Sequence, residues 1–443
     1  MSSLHDSIFA LTSGSGRAGV AVYRLSGSLA GAAITALTGR NLPPPRQASY
    51  RRLVWQGDLL DQGLVLWFPA PASFTGEDVA ELQLHGGRAV AQALSAALIA
   101  LGLRPAEPGE FSRRAFEAGK LDLTQAEAIA DLVAAETAAQ RRQALRQMDG
   151  ALLRLYEAWR ERLVRAQAHL EAGIDFSDED LPGGLDEGAR RALQAVVAEM
   201  TAHLADSHRG ERLRDGLHVA ILGAPNVGKS SLLNRIAGRE AAIVSGTAGT
   251  TRDIIEVHLD LAGYPVVLAD TAGLREAAEA VEEEGIRRAL DRADRADLKL
   301  LVFAADEIER PDAAVLELMD ADSLVLINKC DTGLPPSPAW GQGHEILPVS
   351  ARTGLGLEAL LAVLTERAAA ALDGAGAPAL TRARHRQAIE EAVASLRQSL
   401  AAALPELAAE DVRLAARALG RITGRVDVEE MLDVIFREFC IGK

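Results

Sequence analysis

A glycine-rich loop that ends in lysine and serine is the segment of this sequence with the plainest chemistry. Residues 223–230 read Gly-Ala-Pro-Asn-Val-Gly-Lys-Ser, follow a strand-like segment and precede a helical one. Small residues let backbone N–H groups close around phosphates, and the helix N-terminus adds positive potential. Lysine would reach the β- and γ-phosphates and serine would bind Mg²⁺. The pattern predicts a nucleoside triphosphate site that contains Asn226, Val227, Gly228, Lys229, Ser230 and Ser231.

Two later segments indicate that the base of this nucleotide is guanine. The carboxylate of Asp331 follows the apolar strand SLVLI and could accept hydrogen bonds from guanine N1–H and the exocyclic amine. Adenine does not offer that arrangement. Ser350 follows another short strand, LPVS, where its loop could contact the guanine O6. The order of these segments after the phosphate loop predicts GTP rather than ATP, bound by Asn328, Lys329, Asp331, Ser350, Ala351 and Arg352.

The groups around the γ-phosphate are expected on two further loops. Asp270 ends a strand and would hold Mg²⁺ through water, while Thr251 would supply a second metal-binding hydroxyl. Gly273 N–H would meet the γ-phosphate. Loops of this kind are ordered by GTP and released after hydrolysis. The predicted GTP contacts are completed by Ser245, Gly246, Thr247, Ala248, Gly249, Thr250, Thr251, Asp270, Thr271, Ala272 and Gly273.

The attacking water needs a group to orient it, and Leu274 stands where many small GTPases carry a glutamine for this task. Leucine cannot orient water. The acidic stretch from 276 to 284 supplies the alternatives, of which Glu282 is the candidate. A solvated acidic face is the competing interpretation of the stretch. The residues alone barely separate this candidate from Glu279, Glu283 and Glu284.

The charge that develops during hydrolysis needs a cation. Arg252 and Arg275 could supply it or could be structural. The loop 245–250 is rich in oxygen atoms, and Asn226 offers a side-chain oxygen. Hard cations prefer such oxygen cages, so a potassium ion could replace an arginine here.

Composition limits the remaining possibilities. The 443 residues predict two or three domains of a globular protein with 48% hydrophobic and 25% charged residues. The net charge of −15 argues against whole-surface nucleic-acid binding, so any RNA partner must be held by a limited surface. No secretory leader or apolar run of about 20 residues is evident, which predicts a cytoplasmic protein without a membrane contact. Cys330 and Cys440 form neither a disulfide framework nor a metal cluster.

The periodicity changes three times along the chain. Short apolar runs such as GVAVYRLSG, RLVWQGDLL and LVLWFPA predict strands of a mixed α/β segment up to about residue 118. From Leu121 almost unbroken i, i+3, i+4 periodicity predicts long helices. Alternating strand and helix patterns from Leu217 predict a sheet covered on both faces, and helical sequence returns after about residue 370. This order predicts an α/β nucleotide domain inserted into a helical domain.

Several stretches together resemble the MnmE (TrmE) family of tRNA modification GTPases. They are GRAGVAVYRLSG, SFTGEDVAELQLHGG, PGEFSRRAFEAGKLDLTQAEAIADLV, GAPNVGKSSLLN, GTAGTTRDIIE, DTAGLRE and FCIGK. The resemblance implies a multidomain α/β and all-α protein with an inserted Ras-like P-loop GTPase domain. The implied segments are a tetrahydrofolate-binding-like dimerisation domain (1–118), a helical domain (119–210 and 376–443) and the GTPase domain (211–375).

The resemblance also implies roles for individual residues. Glu282 matches the family's water-positioning glutamate, and Asn226, Ser245, Thr247 and Thr250 match its potassium site. Arg24, Glu81 and Lys120 match folate-binding positions, with Lys443 supplying charge from the C-terminus. Cys440 matches a cysteine implicated in the modification, although a small residue buried near a chain end is an equally good interpretation.

The implied activity involves several partners. The family forms homodimers and works with an FAD- and NADH-using partner similar to MnmG, in a heterotetramer or a larger complex. Together they install an aminomethyl or carboxymethylaminomethyl group on C5 of the wobble uridine of certain tRNAs. The implied cofactors are GTP, Mg²⁺, K⁺ and 5-formyltetrahydrofolate or a related tetrahydrofolate.

Two other functions stay open from the residues. A ribosome-assembly or signalling switch GTPase would share the G motifs but lack a folate site. A folate-dependent aminomethyltransferase with a regulatory GTPase domain would transfer the one-carbon unit with its N-terminal domain alone. An RNA contact by Arg413, Arg417, Arg421 and Arg425, four residues apart, is less favoured than a solvated or internally paired helix face.

Overall fold

The computed structural model groups the chain into two compact units. It describes residues 6–175, 185–206, 208–239, 241–243, 256–270, 296–333, 336–374, 378–426, 429–437 and 439–442. Unit 1 comprises Met1–Val133, Gln147–Leu193 and Ala394–Lys443, and unit 2 comprises Ala134–Arg146 and Gln194–Val393. The domain boundaries near 118, 210 and 375 remain a prediction.

Unit 1 contains a mixed sheet with helices packed on one face. Its strands are β1 (Ile8–Leu11), β2 (Ala18–Ser26), β3 (Ser49–Trp55), β4 (Asp58–Phe68), β5 (Val79–Gly86) and β6 (Arg104–Pro105). The order is β3-β4-β5-β2-β1-β6, antiparallel except between β1 and β6. Helices α1 (Ala30–Thr38) and α2 (Arg88–Ala100) bury Ile34 and Leu98 against Leu25 and Leu82 of the strands. The other face therefore carries the polar side chains of β2 and β5.

The segment RLVWQGDLL holds parts of two strands instead of the one that its apolar content predicts. β3 ends at Trp55 and β4 begins at Asp58. Gln56 and Gly57 between them have φ of 52° and 87°. Two consecutive positive φ angles suit the right-handed twist of a two-residue hairpin, so the chain reverses there.

The helical prediction from Leu121 onward is confirmed. The stretch forms α4 (Leu123–Ala134), α5 (Ala138–Met148) and α6 (Ala151–Asp175), and α3 (Glu110–Glu117) precedes it. Further helices are α7 (Leu185–Leu204), α12 (Ala383–Ala401), α13 (Pro405–Thr423) and α14 (Glu429–Arg437). Within unit 1, α6 packs against α13 and buries Tyr156 and Trp159. No helix of the described segments is long and apolar enough to cross a membrane.

The four arginines at four-residue spacing do not all lie on one helix. α13 ends at Thr423, and Gly424 follows with a φ of 85°, so Arg425 lies beyond the helix. A left-handed glycine after the last helical residue is a common way to end a helix. Arg425 Nε is 2.8 Å from Glu157 Oε1, and Arg413 Nη2 is 2.6 Å from Glu410 Oε1. Internal pairing, the favoured interpretation of this row, is therefore confirmed for these two arginines.

A buried charge cluster fastens α3 to the N-terminal segment. Arg114 is 8% exposed and lies 2.7 Å from Asp6 Oδ1, 3.1 Å from Glu77 Oε2 and 2.9 Å from Glu110 Oε1. Burial by itself would raise the pKa of the Glu110 carboxyl, but hydrogen bonds from Arg104 and Arg114 hold that pKa below its usual value. The Asp6 pKa is lowered by the same two arginines against the effect of burial.

Arg114→Met is expected to lower the free energy of unfolding at pH 7 by roughly 3 kcal/mol, because it leaves buried carboxylates without their partner. The pKa values of Asp6 and Glu110 are lower in the folded than in the unfolded chain, so their ionised forms stabilise the fold at any pH above the ordinary carboxyl pKa. This stabilisation is lost as the pH falls through the pKa values of the folded state. The difference between the two proteins should therefore shrink below about pH 4. Urea unfolding between pH 3 and 8 measures it.

Arg113→Met is the matched control for this change. Arg113 is 37% exposed and pairs with Glu117 at 3.0 Å and with Asp433 at 2.7 Å. Exposed pairs contribute about 0–1 kcal/mol. Equal destabilisation by the two substitutions would contradict the importance assigned to the buried cluster.

Unit 2 is built around a sheet that is parallel except at one edge. Its strands are β7 (Leu217–Leu222), β8 (Glu256–Leu261), β9 (Tyr264–Asp270), β10 (Leu298–Ala304), β11 (Leu324–Asn328) and β12 (Glu345–Pro348), in the order β12-β11-β10-β7-β9-β8. Only the edge strand β8 runs antiparallel, to β9, among these described strands. The helices are α8 (Arg209–Asp215), α9 (Lys229–Ala237), α10 (Ala313–Glu317) and α11 (Leu357–Leu372).

Both faces of this sheet are covered, as the sequence pattern predicts. Alternate residues of β7 enter two different cores: Ile221 packs with residues of α9 and α11, and Leu222 packs with Phe303 and Val315. Strands buried on both faces are mostly apolar, which explains the composition of β7, β10 and β11, where His218 and Lys299 are the polar residues near the start of β7 and β10. The two strands predicted to join at Ala262 and Gly263 are β8 and β9.

Candidate guanine-nucleotide site

The phosphate-loop residues lie where the order of strands reverses. In the sheet, β7 lies between β9 on one side and β10 on the other. Ligands of open α/β sheets bind outside the carboxyl ends of the strands at such a point. The loop 223–228 leaves the carboxyl end of β7, and α9 begins at Lys229. The fold therefore directs the N–H groups at the start of α9 towards this crevice.

The backbone of the loop needs glycine at its last position. Gly228 has a φ of 99°, and a Cβ atom there would lie 2.3 Å from Asn328 Nδ2. Asn226, whose side chain is exposed, has a φ of 64°, a conformation that asparagine tolerates better than most residues. Lys229 Nζ donates to Gly223 O at 2.6 Å and to Ala224 O at 2.8 Å. These contacts hold the ammonium group across the loop, where a phosphate would meet it.

Asn328 links the phosphate loop to the two segments predicted to bind guanine. Its Nδ2 donates to Val227 O at 2.8 Å, and its Oδ1 accepts from Ala351 N at 3.0 Å. The residue is 2% exposed, so both amide atoms are satisfied within the protein. One side chain thus connects loops that follow β7, β11 and β12, and its role is to position them.

The carboxylate of Asp331 is held in its ionised form. Ser350 Oγ donates to Asp331 Oδ1 at 2.7 Å, and Arg352 forms an ion pair with the other oxygen. The hydrogen bond from Ser350, with a contribution from Arg352, lowers the pKa of Asp331. Lys329 Nζ lies 3.4 Å from Asp306 Oδ1. An ionised, oriented carboxylate is the acceptor that the guanine edge requires.

Part of the predicted site lies outside the described residues. These positions are Ser245, Gly246, Thr247, Ala248, Gly249, Thr250, Thr251, Arg252, Thr271, Ala272, Gly273, Leu274, Arg275, Glu279, Glu282, Glu283, Glu284 and Lys443. The backbone of Asp270 is described: it ends β9 and pairs in register with Ile221 of β7. Asp270 therefore reaches the same edge of the sheet as the phosphate loop.

The predicted folate residues Arg24 and Glu81 are neighbours on the polar face of the unit 1 sheet. They are directly opposite in the register of β2 and β5, and Arg24 Nη2 donates to Glu81 Oε1 at 2.9 Å. The Arg24 guanidinium carbon lies 5.2 Å from the Phe74 ring centroid and 5.7 Å from that of Phe111. Phe74 lies in the stretch SFTG and Phe111 in GEFS, and neither was predicted as a site residue, because an aromatic residue in such a stretch is as typical of a core.

Lys120 and Cys440 both lie in unit 1. Lys120 is exposed, and its side chain passes close to Gly76: a Cβ atom on this glycine would lie 3.5 Å from Lys120 Cε. Cys440 is exposed, not buried, which contradicts the interpretation of a buried small residue. Its carbonyl oxygen accepts from Gly109 N at 3.5 Å, and Ile441 bridges to Pro108. Phe439 supplies the buried contact of this segment instead.

Comparison with known proteins adds to this geometry. The family model described as the MnmE helical domain matches residues 123–440, and that described as the GTP-binding protein TrmE N-terminus matches residues 7–120. The tRNA modification GTPase MnmE of Paramagnetospirillum magneticum is 62% identical over 99% of this chain and 100% of its own length. The chain belongs to the MnmE family. It is therefore a GTP-hydrolysing enzyme of tRNA modification.

Other MnmE proteins support the same assignment. The MnmE of Rhodospirillum rubrum is 57% identical over 99% of each chain. A solved structure of Aquifex aeolicus Era bound to GDP and AlF4⁻ is 26% identical and covers 40% of this chain and 66% of that one, with a TM-score of 0.28. The MnmE assignment rests on the full-length relatives and the family models.

Proposed function

We propose that this chain is a potassium-activated GTPase that helps to install a (carboxymethyl)aminomethyl group on C5 of the tRNA wobble uridine. It would act with an FAD-dependent partner and a folate one-carbon unit. One observation supports this proposal most: a single MnmE-family chain contains two distinct sites. One is the phosphate loop, which Asn328 holds through Val227 O, and the other is the Arg24–Glu81 pair. A simple switch GTPase needs only the first of these features.

The nucleotide loop fits GTP and Mg²⁺. The loop at Gly228 has no room for a Cβ atom, and Ser230 is an exposed residue at the start of α9. We assign Mg²⁺ to Ser230 and Thr251, where the ion would neutralise phosphate charge. Asp331 would read the guanine edge. The remaining proposed GTP contacts are those predicted from the sequence in 226–231, 245–251, 270–273, 328–331 and 350–352.

A potassium ion is the proposed source of positive charge for hydrolysis. Asn226 would contribute its side-chain oxygen, which is exposed on the loop. Ser245, Thr247 and Thr250 would complete the site, and Glu282 would orient the attacking water. When bound, the ion would stabilise the charge that develops between the β- and γ-phosphates, as an arginine finger does elsewhere.

The Arg24–Glu81 pair fits a flat, polar heterocycle such as that of tetrahydrofolate. A carboxylate acceptor and a guanidinium donor lie side by side, with two phenylalanine rings near the guanidinium. Lys120 and Lys443 would supply charge to the folate carboxylates. The folate, as 5-formyltetrahydrofolate or a relative, would supply the one-carbon unit. Cys440 is accessible at the surface and is proposed to take part in the modification.

The proposed assembly is a cytoplasmic homodimer that joins an FAD-dependent, MnmG-like enzyme in a heterotetramer or larger complex. Relatives that match over the full chain carry the name tRNA modification GTPase, which supports tRNA as the substrate. GTP hydrolysis would drive a conformational cycle in this assembly and would not take part in the carbon chemistry.

Glu81→Gln tests the folate part of this proposal. Losing a charge-assisted hydrogen bond of about 1.5–3 kcal/mol should weaken tetrahydrofolate binding by roughly 10- to 100-fold. In a reaction with the FAD-dependent partner, NADH, GTP and unmodified tRNA, the variant should form less modified uridine, measured by nucleoside mass spectrometry. Its GTP hydrolysis rate should be unchanged, because Glu81 lies in unit 1 and the phosphate loop in unit 2.

Glu117→Gln is the control, since it removes another glutamate from the same unit, one that pairs with Arg113 at 3.0 Å. Normal folate binding and modification by Glu81→Gln would contradict the folate site. Absence of folate binding by the unchanged chain would favour a switch GTPase.

A further inference from the structure

Helix α5 has the most one-sided charge among the helices of eight or more residues that the structure describes. Its 11 residues, AAQRRQALRQM, contain Arg141, Arg142 and Arg146 and no carboxylate. The chain as a whole has a net charge of −15. The positive charge of α5, with no aspartate or glutamate in the helix, is therefore opposite in sign to the net charge of the protein.

The three arginines project from the exposed face of α5. At 100° per residue, positions 141, 142, 145 and 146 fall within about 140° of the helix circumference. All four residues are exposed, including Leu145 at 38%. The three guanidinium groups therefore share one accessible face, named here the α5 arginine face.

The opposite side of α5 is fixed to other elements of unit 2. Gln140 Nε2 donates to Arg214 O at 2.9 Å, and Gln143 Nε2 donates to Gly210 O at 3.0 Å, so two side-chain amides tie the helix to α8. Ala139 and Ala144 are 5% and 2% exposed, and Ala139 N donates to Gly263 O at 2.9 Å. These bonds hold the rotation of α5, so its arginines face outwards in a defined orientation.

Nearby acids do not neutralise this face. Within the described parts of the chain, no carboxylate forms an ion pair with Arg141, Arg142 or Arg146. Glu136, before the helix, is engaged by His258 Nδ1 at 3.2 Å, and Asp149 follows the helix at its far end. The arginines of α13 behave differently, since Arg413 pairs with Glu410.

We propose that the α5 arginine face binds the phosphate backbone of the tRNA. Guanidinium groups recognise phosphate oxygens in pairs of hydrogen bonds, and phosphate contacts position a nucleic acid without reading its sequence. An acidic chain must hold RNA through a small basic surface, because the rest of its surface repels the backbone. This inference rests on the proposed tRNA substrate and assigns a surface to it.

The triple variant R141Q/R142Q/R146Q tests the surface in the full-length chain. Each phosphate contact contributes about 0.7–0.9 to the slope of log affinity against log salt, so the slope should fall by roughly 2. Affinity for a fluorescently labelled tRNA transcript at 0.1 M salt should fall on the order of 10- to 100-fold. The GTP hydrolysis rate and the thermal unfolding midpoint should be unchanged, because these side chains are exposed and, within the described segments, form no hydrogen bond with the phosphate loop 223–228 or with a buried residue.

The matched control is R40Q/R88Q/R310Q, which removes three exposed arginines that are scattered over the chain and form no ion pair with a described carboxylate. It changes the net charge by the same amount. Its tRNA affinity should stay within about threefold of the unchanged chain, since distant exposed charges are screened beyond about 10 Å. Equal weakening by both triples would overturn the proposal and leave a general charge effect.

The outcomes separate this inference from the proposed function. If the unchanged chain binds no tRNA, the proposed substrate fails. If it binds tRNA and the α5 triple binds equally well, only the α5 arginine face fails. Normal tRNA binding with lost modification in the presence of the FAD-dependent partner would assign the face to a protein contact, and would also overturn the proposal.

Discussion

Exchanging sodium chloride for potassium chloride at equal ionic strength is expected to raise the GTP hydrolysis rate of this chain by roughly 10³- to 10⁵-fold, the range known for an arginine finger. A cation that replaces the arginine finger must be held by oxygen atoms close to the β- and γ-phosphates. Sodium is smaller than potassium, so it fits poorly in a set of oxygen ligands arranged for potassium. Phosphate release under multiple-turnover conditions, with saturating GTP and Mg²⁺, measures the ratio.

Asn226→Ala makes this prediction specific to the phosphate loop. It removes the proposed side-chain ligand, so the rates in the two salts should become similar. Asn234→Ala, on an exposed position of α9 in the same unit, should keep the potassium response. Equal and slow rates of the unchanged chain in both salts would remove the potassium mechanism and favour a switch GTPase.

Asp331→Asn is expected to lower GTP affinity by roughly 10²- to 10⁴-fold, because two charge-assisted hydrogen bonds of about 1.5–3 kcal/mol each are lost. An amide N–H facing the donors of guanine also adds repulsion. Xanthosine triphosphate offers a carbonyl oxygen at that position, so its affinity should rise. Equilibrium titration with fluorescent GTP and xanthosine triphosphate analogues measures both changes.

Asp322→Asn is the control for this change. Asp322 is exposed and precedes β11, whereas Asp331 follows that strand. Unchanged GTP affinity in Asp331→Asn would show that the carboxylate does not read the base. The hydrogen bond from Ser350 lowers the pKa of Asp331, so GTP binding should persist as the pH falls through the usual carboxyl range. Ser350→Ala should move the acid-side loss of affinity to higher pH.

Local patterns in the sequence were sufficient to predict most of the helices and strands. The apolar runs of β7, β10 and β11 and the periodicity of α4 to α6 depend on neighbouring residues, which the sequence displays directly. The phosphate loop was predictable for the same reason, because its glycines, lysine and serine lie within eight consecutive positions. The hairpin at Gln56 was missed, since glutamine rarely marks a left-handed turn.

The sequence by itself determined the motifs of the GTP site and the resemblance to the MnmE family, because both depend on residues close together in the chain. Tertiary structure alone decided that Asn328 holds Val227 across 101 positions, that Phe74 and Phe111 lie near Arg24, and which face of α5 carries exposed arginines. Contacts between distant segments depend on strand order and helix rotation, and the packing of the core sets both.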